Sequence, residues 1–312
     1  MSATASTGTT MRAVQLDVWG GPERLVVRDV ARPVPGPGQV RVRVEAASAN
    51  AVDRRVREGY LSAQFPLPYT AGSDFSGVVE AVGEGADLPV GAPVFGALWP
   101  TSGAYAEYAV VDAALLAVKP DGVSFEQAAA LPVAGITAWV AVVDDGQVRP
   151  GQRVLVQGAA GGVGHIAVQL AKQRGAYVIG TASAANHDFI RDLGADEVLD
   201  YRSPDLPGLL ADLDLVIDGV SAAGLAAFYP KIRRDGLALS LFDPPLPPPA
   251  GIRAQLVATA AIADGPVRPR LAALAKLVAG NQLTVAVTAS YGLDEVATAQ
   301  ETRVRGKAVI IP

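Results

Sequence analysis

The chain has no cysteine and only two histidines, His165 and His187, among 312 residues. Without cysteine it can form no disulfide, no thiolate zinc site and no cysteine nucleophile. Charged residues make up only 18% of the sequence while apolar residues make up 50%. This balance predicts a folded chain, with little intrinsic disorder, that is long enough for about two domains.

A strong charge of either sign is also lacking, because 26 Lys and Arg stand against 31 Asp and Glu. The net charge of −5 argues against nucleic acid or an anionic membrane as the main partner. The start, MSATASTGTT, has neither the basic nor the apolar region of a signal peptide. We therefore expect residues 1–10 to be a disordered tail and the protein to be cytoplasmic. The uncharged, largely apolar run at residues 127–143 contains proline and is too short to span a bilayer.

The order of apolar runs and turn residues predicts an α/β protein. Up to Ser124, short β-rich runs alternate with glycine and proline clusters, which predicts a barrel-like β domain. Ser124 and Gln127 then form the capping box of a helix, and strands alternate with helices as far as residue 242. That alternation is typical of a parallel sheet with crossover helices. The proline-rich run at 244–249 predicts an exposed loop, and a helix and a closing strand follow it.

A glycine-rich segment, VLVQGAAGGVGHIAVQLAK at residues 154–172, joins a predicted strand to a predicted helix. Such a turn lets backbone N–H groups and the helix N-terminus face a pyrophosphate, and glycine permits close approach. Ala159 replaces the first glycine of the strict GxGxxG pattern, while Gly161 and Gly164 fill the other two positions. We expect a dinucleotide to be held at the turn by four residues: Ala160, Gly161, Gly162 and Val163.

The end of the next predicted strand indicates which dinucleotide binds. A protein that binds NAD usually has Asp or Glu there, which accepts a hydrogen bond from the ribose 2′-hydroxyl. This chain has no acid between residues 181 and 186, and Ser183 and Asn186 can donate to a 2′-phosphate. The sequence therefore predicts NADPH, with a dual-specificity site as the alternative. His187 and Arg191 are the nearest candidates for a positive partner.

Three separated blocks resemble the medium-chain dehydrogenase/reductase superfamily, in its zinc-independent, zeta-crystallin-like quinone oxidoreductase branch. They are AGSDFSGVVEAVG (71–83), AAALPVAGITAW (128–139) and QGAAGGVGHIAVQLAK (157–172). LGADEVLDY (193–201) and RGKAVII (305–311) agree, so the resemblance covers nearly everything after residue 11. It implies a GroES-like catalytic domain, residues 11–124 and 272–312, and a Rossmann NADP-binding domain of doubly wound parallel sheet, residues 125–271. It also implies a homodimer.

The resemblance implies chemistry without a metal. Zinc alcohol dehydrogenases of the superfamily carry a Gly-His-Glu block where this chain has Gly72-Ser73-Asp74, and they also use cysteine ligands that are missing here. A quinone or a conjugated carbonyl needs no Lewis acid, because its β-carbon already accepts hydride to give a delocalised enolate. The protein then has to position the substrate and donate hydrogen bonds to the developing oxyanion.

The branch pattern also supplies candidate catalytic residues. Asn50, followed by x-x-Asp53, matches an asparagine beside the nicotinamide, and Tyr60 matches an aromatic residue that borders the substrate cleft. Asp74 resembles a catalytic acid, but we expect it to fix the turn into the strand that follows.

Further cofactor contacts come from the same pattern and from the strand ends. Thr137 resembles a residue at the nicotinamide amide, Tyr201 an adenine contact, and Lys307 a lysine near the cofactor phosphates. Open α/β sheets bind ligands at the carboxyl ends of their strands. Four residues occupy such positions: Gly219, Val220, Leu241 and Phe242.

The leading interpretation is an NADPH-dependent reductase of a quinone or an α,β-unsaturated carbonyl. A trans-acting enoyl reductase or a pathway tailoring reductase would share every motif named above. A non-catalytic NADPH-binding protein is the alternative outside enzymology.

Overall fold

The computed structural model describes residues 10–60, 62–98, 103–257 and 265–312. Residues 1–9 of the predicted tail lie outside this range. Thr10, which the prediction also assigned to the tail, is instead the first residue of a strand that ends at Leu16.

The described residues form strands and helices in the order that the sequence patterns predict. The strands are β1 (Thr10–Leu16), β2 (Val26–Ala31), β3 (Gln39–Ser48), β4 (Tyr69–Thr70), β5 (Asp74–Val82), β6 (Pro93–Ala97), β7 (Tyr108–Asp112), β8 (Leu116–Val118), β9 (Arg153–Gln157), β10 (Tyr177–Ala182), β11 (Glu197–Asp200), β12 (Leu213–Asp218), β13 (Ile232–Ser240), β14 (Arg253–Leu256), β15 (Val287–Gly292) and β16 (Lys307–Ile311). The α-helices are α1 (Ala51–Arg57), α2 (Phe125–Ala129), α3 (Pro132–Trp139), α4 (Gly164–Gln173), α5 (His187–Asp192), α6 (Ala222–Ala226), α7 (Val267–Ala279) and α8 (Val296–Glu301). A π-helical turn, Val140–Asp144, continues α3.

Both ends of the chain build one β-rich, GroES-like domain. Its larger sheet has the order β15–β16–β3–β5–β6–β8, with β7 also paired to β3, and its smaller sheet has the order β2–β1–β4. Strand β16 runs antiparallel to β3 and pairs Val309 with Ser48. The C-terminal strand therefore lies beside the residues that lead into helix α1.

The middle of the chain forms a doubly wound parallel sheet of order β11–β10–β9–β12–β13–β14. Side chains alternate between its faces. On one face Val156 belongs to the main core with Ile166 of α4. On the other face Leu155 packs in a second core with Leu225 of α6. This confirms the predicted Rossmann architecture.

Local signals in the sequence correspond to real caps and loops. Ser124 Oγ accepts from Gln127 N at 3.2 Å while Gln127 Oε1 accepts from Ser124 N at 3.1 Å, which is the predicted capping box. Residues 244–249 form a loop outside the strands and helices.

The predicted domain boundary at 271/272 falls inside helix α7. In the described ranges, no helix combines the length and apolar character needed to cross a membrane.

Candidate active site

A cleft of about 370 Å³ opens between the glycine-rich turn after β9, helix α1 and the start of β16. Apolar residues such as Val133, Ala134 and Val257 form much of its wall. Ten predicted site residues line this cleft: Asn50, Tyr60, Thr137, Gly161, Gly162, Val163, Gly219, Leu241, Phe242 and Lys307. The structure therefore brings together the predicted catalytic residues and most of the predicted cofactor contacts.

The glycine-rich turn has the geometry of a phosphate cradle. Across the described residues, the N–H groups of Gly162 and Val163 meet no protein acceptor, and they stand just before the first residue of α4. Orphan N–H groups at a helix N-terminus bind anions. A Cβ on Gly161 would make one tight contact, 3.2 Å from Gly158 O, and would have no other described atom within 4 Å, so the space beyond it is open. The residues present therefore fit a dinucleotide pyrophosphate.

Other contacts hold this turn in shape. Gly158 has a φ of +69°, which disfavours other residues there, and a Cβ on Gly164 would stand 2.3 Å from Gly158 O. Ala160 does not line the cleft, but its carbonyl accepts from Gly306 N at 2.8 Å. The turn is thereby tied to the segment that leads into β16.

Beside the turn, Asn50 and Lys307 belong to a buried hydrogen-bond network. The Lys307 Nζ donates to Ala49 O at 2.9 Å and also to Asn50 Oδ1. Asn50 Nδ2 donates to Asp74 Oδ2 at 2.9 Å and to Ser48 O at 3.3 Å. Both N–H groups of the amide are occupied, so Asn50 has no free donor for a substrate oxygen.

Two carboxyl groups lie within this network. Asp53 accepts from Ser73 Oγ at 2.5 Å and from Tyr105 OH at 2.8 Å, and burial raises its pKa. Burial raises the pKa of Asp74 to about 7, against the opposing effect of the Lys307 charge. Burial lowers the pKa of Lys307, while the two carboxylates act in the opposite direction. The network therefore concentrates three ionisable groups behind the cleft.

Three residues named in the sequence analysis make contacts that the sequence did not predict. The Lys307 stem passes near Gly162, but its ammonium group turns away from the phosphate turn toward Asn50. The Thr137 hydroxyl donates to Val133 O at 2.7 Å, within its own helix, so its oxygen faces the cleft as an acceptor. Asp74 begins β5, as expected of a residue that fixes a turn, but its carboxylate also accepts from Val133 N of α3 at 3.0 Å.

Residues predicted to recognise the ribose phosphate lie outside the cleft. Asn186 Nδ2 donates to Ser183 Oγ at 3.2 Å, just after β10. Tyr201 is 52% exposed, and its N–H donates to Ala182 O at 3.3 Å, which holds it beside the end of β10. Val220 is also exposed, at the end of β12.

Among the candidate cations, Arg191 is bound to Asp188 at 2.8 Å. The sequence reasoning missed Arg202, whose guanidinium carbon lies 4.7 Å from the centre of the Tyr201 ring. The Arg202 side chain is 62% exposed, and its Nη1 comes no closer than 4.0 Å to Asp200 Oδ1. Adjacency to Tyr201 was the signal that could have identified it.

Both histidine rings contact backbone groups. His165 Nδ1 lies 2.9 Å from Gly161 O, Nε2 accepts from Ala286 N at 3.3 Å, and burial lowers the pKa of this residue to about 4. His187 begins α5, and its Nε2 lies 3.4 Å from Ala182 O. Among the described residues, no group of three His, Asp or Glu side chains is placed to hold a metal ion.

Two family models match the chain. The alcohol dehydrogenase GroES-like domain matches residues 36–121, and the zinc-binding dehydrogenase model matches residues 162–239. The first range covers most of the β-rich domain and the second runs from the glycine-rich turn into β13.

Individual relatives agree with these models. A chloroplastic quinone-oxidoreductase homolog from Spinacia oleracea is 36% identical over 249 residues, which is 75% of this chain and 76% of the relative. The quinone oxidoreductase of Homo sapiens is 40% identical over 195 residues, 62% of this chain and 59% of that protein. Among solved structures, the quinone oxidoreductase from Coxiella burnetii has a TM-score of 0.89 at 32% identity, covering 97% of this chain and all (100%) of that one.

Proposed function

The chain belongs to the quinone oxidoreductase branch of the medium-chain dehydrogenase/reductase superfamily, and we propose that it is a zinc-independent, NADPH-dependent reductase of quinones or α,β-unsaturated carbonyls. Members of this superfamily are oxidoreductases that use a nicotinamide cofactor. The observation that carries the proposal is a single cleft. It contains the phosphate cradle at Gly161–Val163, and an apolar wall stands beside Tyr60 and Phe242.

The residues present do not fit catalytic zinc, although one matching family model is described as a zinc-binding dehydrogenase. The whole chain has no cysteine, and its two histidines are His165, fixed by backbone groups, and His187, at the start of α5. A catalytic zinc site needs three protein ligands, drawn from Cys, His, Asp and Glu, around one point, and no such group occurs among the described residues.

The side chains of the cleft suit a substrate that is already electrophilic. A bound nicotinamide cofactor supplies hydride from C4 of its reduced ring. Val133, Ala134 and Leu241 give the cleft an apolar lining, which suits an apolar conjugated substrate. The hydrogen bonds from Lys307 to Ala49 and Asn50 tie the start of helix α1 to β16, so these two elements that line the cleft are fixed relative to each other.

The preference for NADPH over NADH is supported by the turn after β10. No carboxylate stands between residues 181 and 186, so a 2′-phosphate meets no like charge there. The Ser183 hydroxyl and the exposed Arg202 guanidinium supply a donor and a cation at this end of the sheet. Tyr201 offers its exposed ring to the adenine.

Steady-state turnover tests this proposal. We expect NADPH oxidation with 9,10-phenanthrenequinone, 1,4-benzoquinone and a 2-alkenal, and little with the matching saturated ketone or aldehyde. Stoichiometric zinc by elemental analysis, or loss of turnover in chelator, would contradict the metal-free part. Tight NADPH binding with no turnover on any acceptor would favour a binding protein over an enzyme.

The cytoplasmic location and the homodimer stay predictions. The dimer is tested by sedimentation of the purified protein, for which a mass near 64 kDa, twice the 32.0 kDa chain, is expected.

A further inference from the structure

Four polar side chains that line this cleft already donate to protein acceptors. Both amide N–H groups of Asn50 are bound to protein acceptors, and the Thr137 hydroxyl donates to its own helix. Lys307 is 3% exposed, and two of its ammonium hydrogens are directed to Ala49 and Asn50. Arg54 also lines the cleft, but it pairs with Glu58 at 2.9 Å and with Glu301 at 3.4 Å.

Arg55 is different, because it extends from α1 to the opposite wall. Its Nη1 donates to Phe242 O at 2.8 Å, and its Nη2 donates to Asp243 Oδ1 at 3.0 Å. Its guanidinium carbon lies 4.3 Å from the centre of the Tyr60 ring. The side chain is 31% exposed and, like Tyr60 and Phe242, lines the cleft.

These three contacts hold a rigid cation at the edge of the cleft. A guanidinium has five N–H donors and stays charged at every physiological pH, and the contacts to Phe242 and Asp243 use only two of the five. Because the group is already oriented, it can stabilise a developing negative charge without reorganising. The described lining of the cleft contains no Asp or Glu, and Asp243, which pairs with Arg55 at 3.0 Å, lies outside it.

We propose that Arg55 is a catalytic residue that binds the carbonyl oxygen of the electron acceptor and stabilises the oxyanion formed on hydride transfer. This inference rests on the proposed function. A bound nicotinamide cofactor would supply the hydride that forms a C–H bond at the β-carbon of the enone, and this loss of hydride would leave the cofactor oxidised. The π electrons of the C=C bond would move toward the carbonyl, whose oxygen would become an enolate oxyanion held by the free N–H groups of Arg55. Water would then give a proton to the α-carbon and leave as hydroxide, which completes the saturated carbonyl.

The test compares Arg55→Met, Arg55→Lys and the matched control Arg54→Met by single-turnover kinetics with saturating NADPH. Because removal of one oxyanion donor typically lowers kcat by about 10²–10³-fold, we expect a loss of that order for Arg55→Met and a smaller loss for Arg55→Lys. Arg54→Met removes the same charge from the same helix, but that guanidinium already pairs with Glu58 and Glu301, so the rate should stay within about threefold of the parent. The Kd of NADPH should not change in any variant.

A series of para-substituted benzalacetones adds a readout that a structural role would not move. Without Arg55, the rate should depend more steeply on electron withdrawal by the substituent, because the substrate alone must carry the charge. If Arg54→Met loses as much rate as Arg55→Met, or if the substituent dependence is the same in all variants, the loss is not specific to the Arg55 donors and the inference fails while the proposed function stands. If the parent reduces no acceptor, the proposed function fails, and the inference fails with it.

Discussion

The ammonium group of Lys307 donates a hydrogen bond to the side-chain oxygen of Asn50, although 257 positions separate the two residues in the chain. The same asparagine donates to Asp74 through its amide nitrogen at 2.9 Å. One amide thus links a buried cation to a buried carboxyl group. The stability of this network should therefore depend on the charge of each of its members.

Replacing Lys307 with Met should strongly destabilise the protein. The change leaves Asp53 and Asp74 buried without the cation that lowers the pKa of each. Breaking a buried charge pair typically costs about 3–5 kcal/mol in the free energy of unfolding. The loss should be larger at pH 8 than at pH 6, because the Asp74 carboxyl takes up a proton at the lower pH. Urea unfolding at both pH values measures it, and an unchanged stability would contradict the network described above.

Asp74→Asn should change how stability depends on pH. The folded protein keeps the Asp74 proton up to a pKa of about 7, whereas the unfolded chain loses it near the ordinary value of 3.8. The unfolded state therefore binds fewer protons between these values, so the parent loses stability as pH rises from 5 to 7, by at most roughly 1.4 kcal/mol per pH unit. The asparagine variant lacks this loss, so the unfolding free energy of the parent should fall relative to that of the variant as pH rises from 5 to 7. A constant difference would show that the Asp74 carboxyl does not titrate there.

Gly161→Val should block the cofactor without unfolding the protein. The new side chain would enter the open space beside the N–H groups of Gly162 and Val163, where we expect the pyrophosphate. We expect the Kd of NADPH to rise at least about 100-fold, by calorimetry or fluorescence titration, with an unchanged far-UV spectrum. The matched control is Gly36→Val, where the only atom within 4 Å is Gln39 Oε1 at 3.4 Å. Similar affinities for the two variants would contradict our position for the phosphates.

Cofactor choice is tested at the end of β10. Arg202→Leu removes a cation, and since a charged hydrogen bond contributes roughly 1.5–3 kcal/mol, the Kd of NADPH should rise about tenfold while that of NADH stays the same. Ser183→Asp introduces a ribose acceptor and a charge that repels the 2′-phosphate, so it should favour NADH. Ser183 suits this test better than Ala182, which is only 4% exposed and would bury the new carboxylate. A parent protein that prefers NADH would contradict the proposed specificity.

The sheet of the Rossmann domain could be predicted because each strand is a short apolar run next to a recognisable turn. The Ser124 cap and the glycine-rich turn are local patterns, and both formed as expected. The contacts of Asn50 could not be predicted in this way. Its partner Lys307 comes from the far end of the chain, and only the pairing of β16 with β3 brings them together.

Arg55 and Arg57 show the same limit. The two side chains have the same chemistry and lie two positions apart, yet Arg57 is 1% exposed and bonds to Gln300 and Glu301, whereas Arg55 lines the cleft. The difference depends on what packs against each side of α1. No pattern in the sequence around α1 contains that information.

The most direct test of the account is transfer of deuterium from NADPH labelled at C4 to a conjugated enone, followed by mass spectrometry and NMR of the product. Using the 4R- and 4S-labelled cofactors separately, we predict that one of them delivers deuterium to the β-carbon, with one deuterium per NADPH consumed. Cofactor consumption with no deuterium at the β-carbon of the product would contradict direct hydride transfer in this cleft.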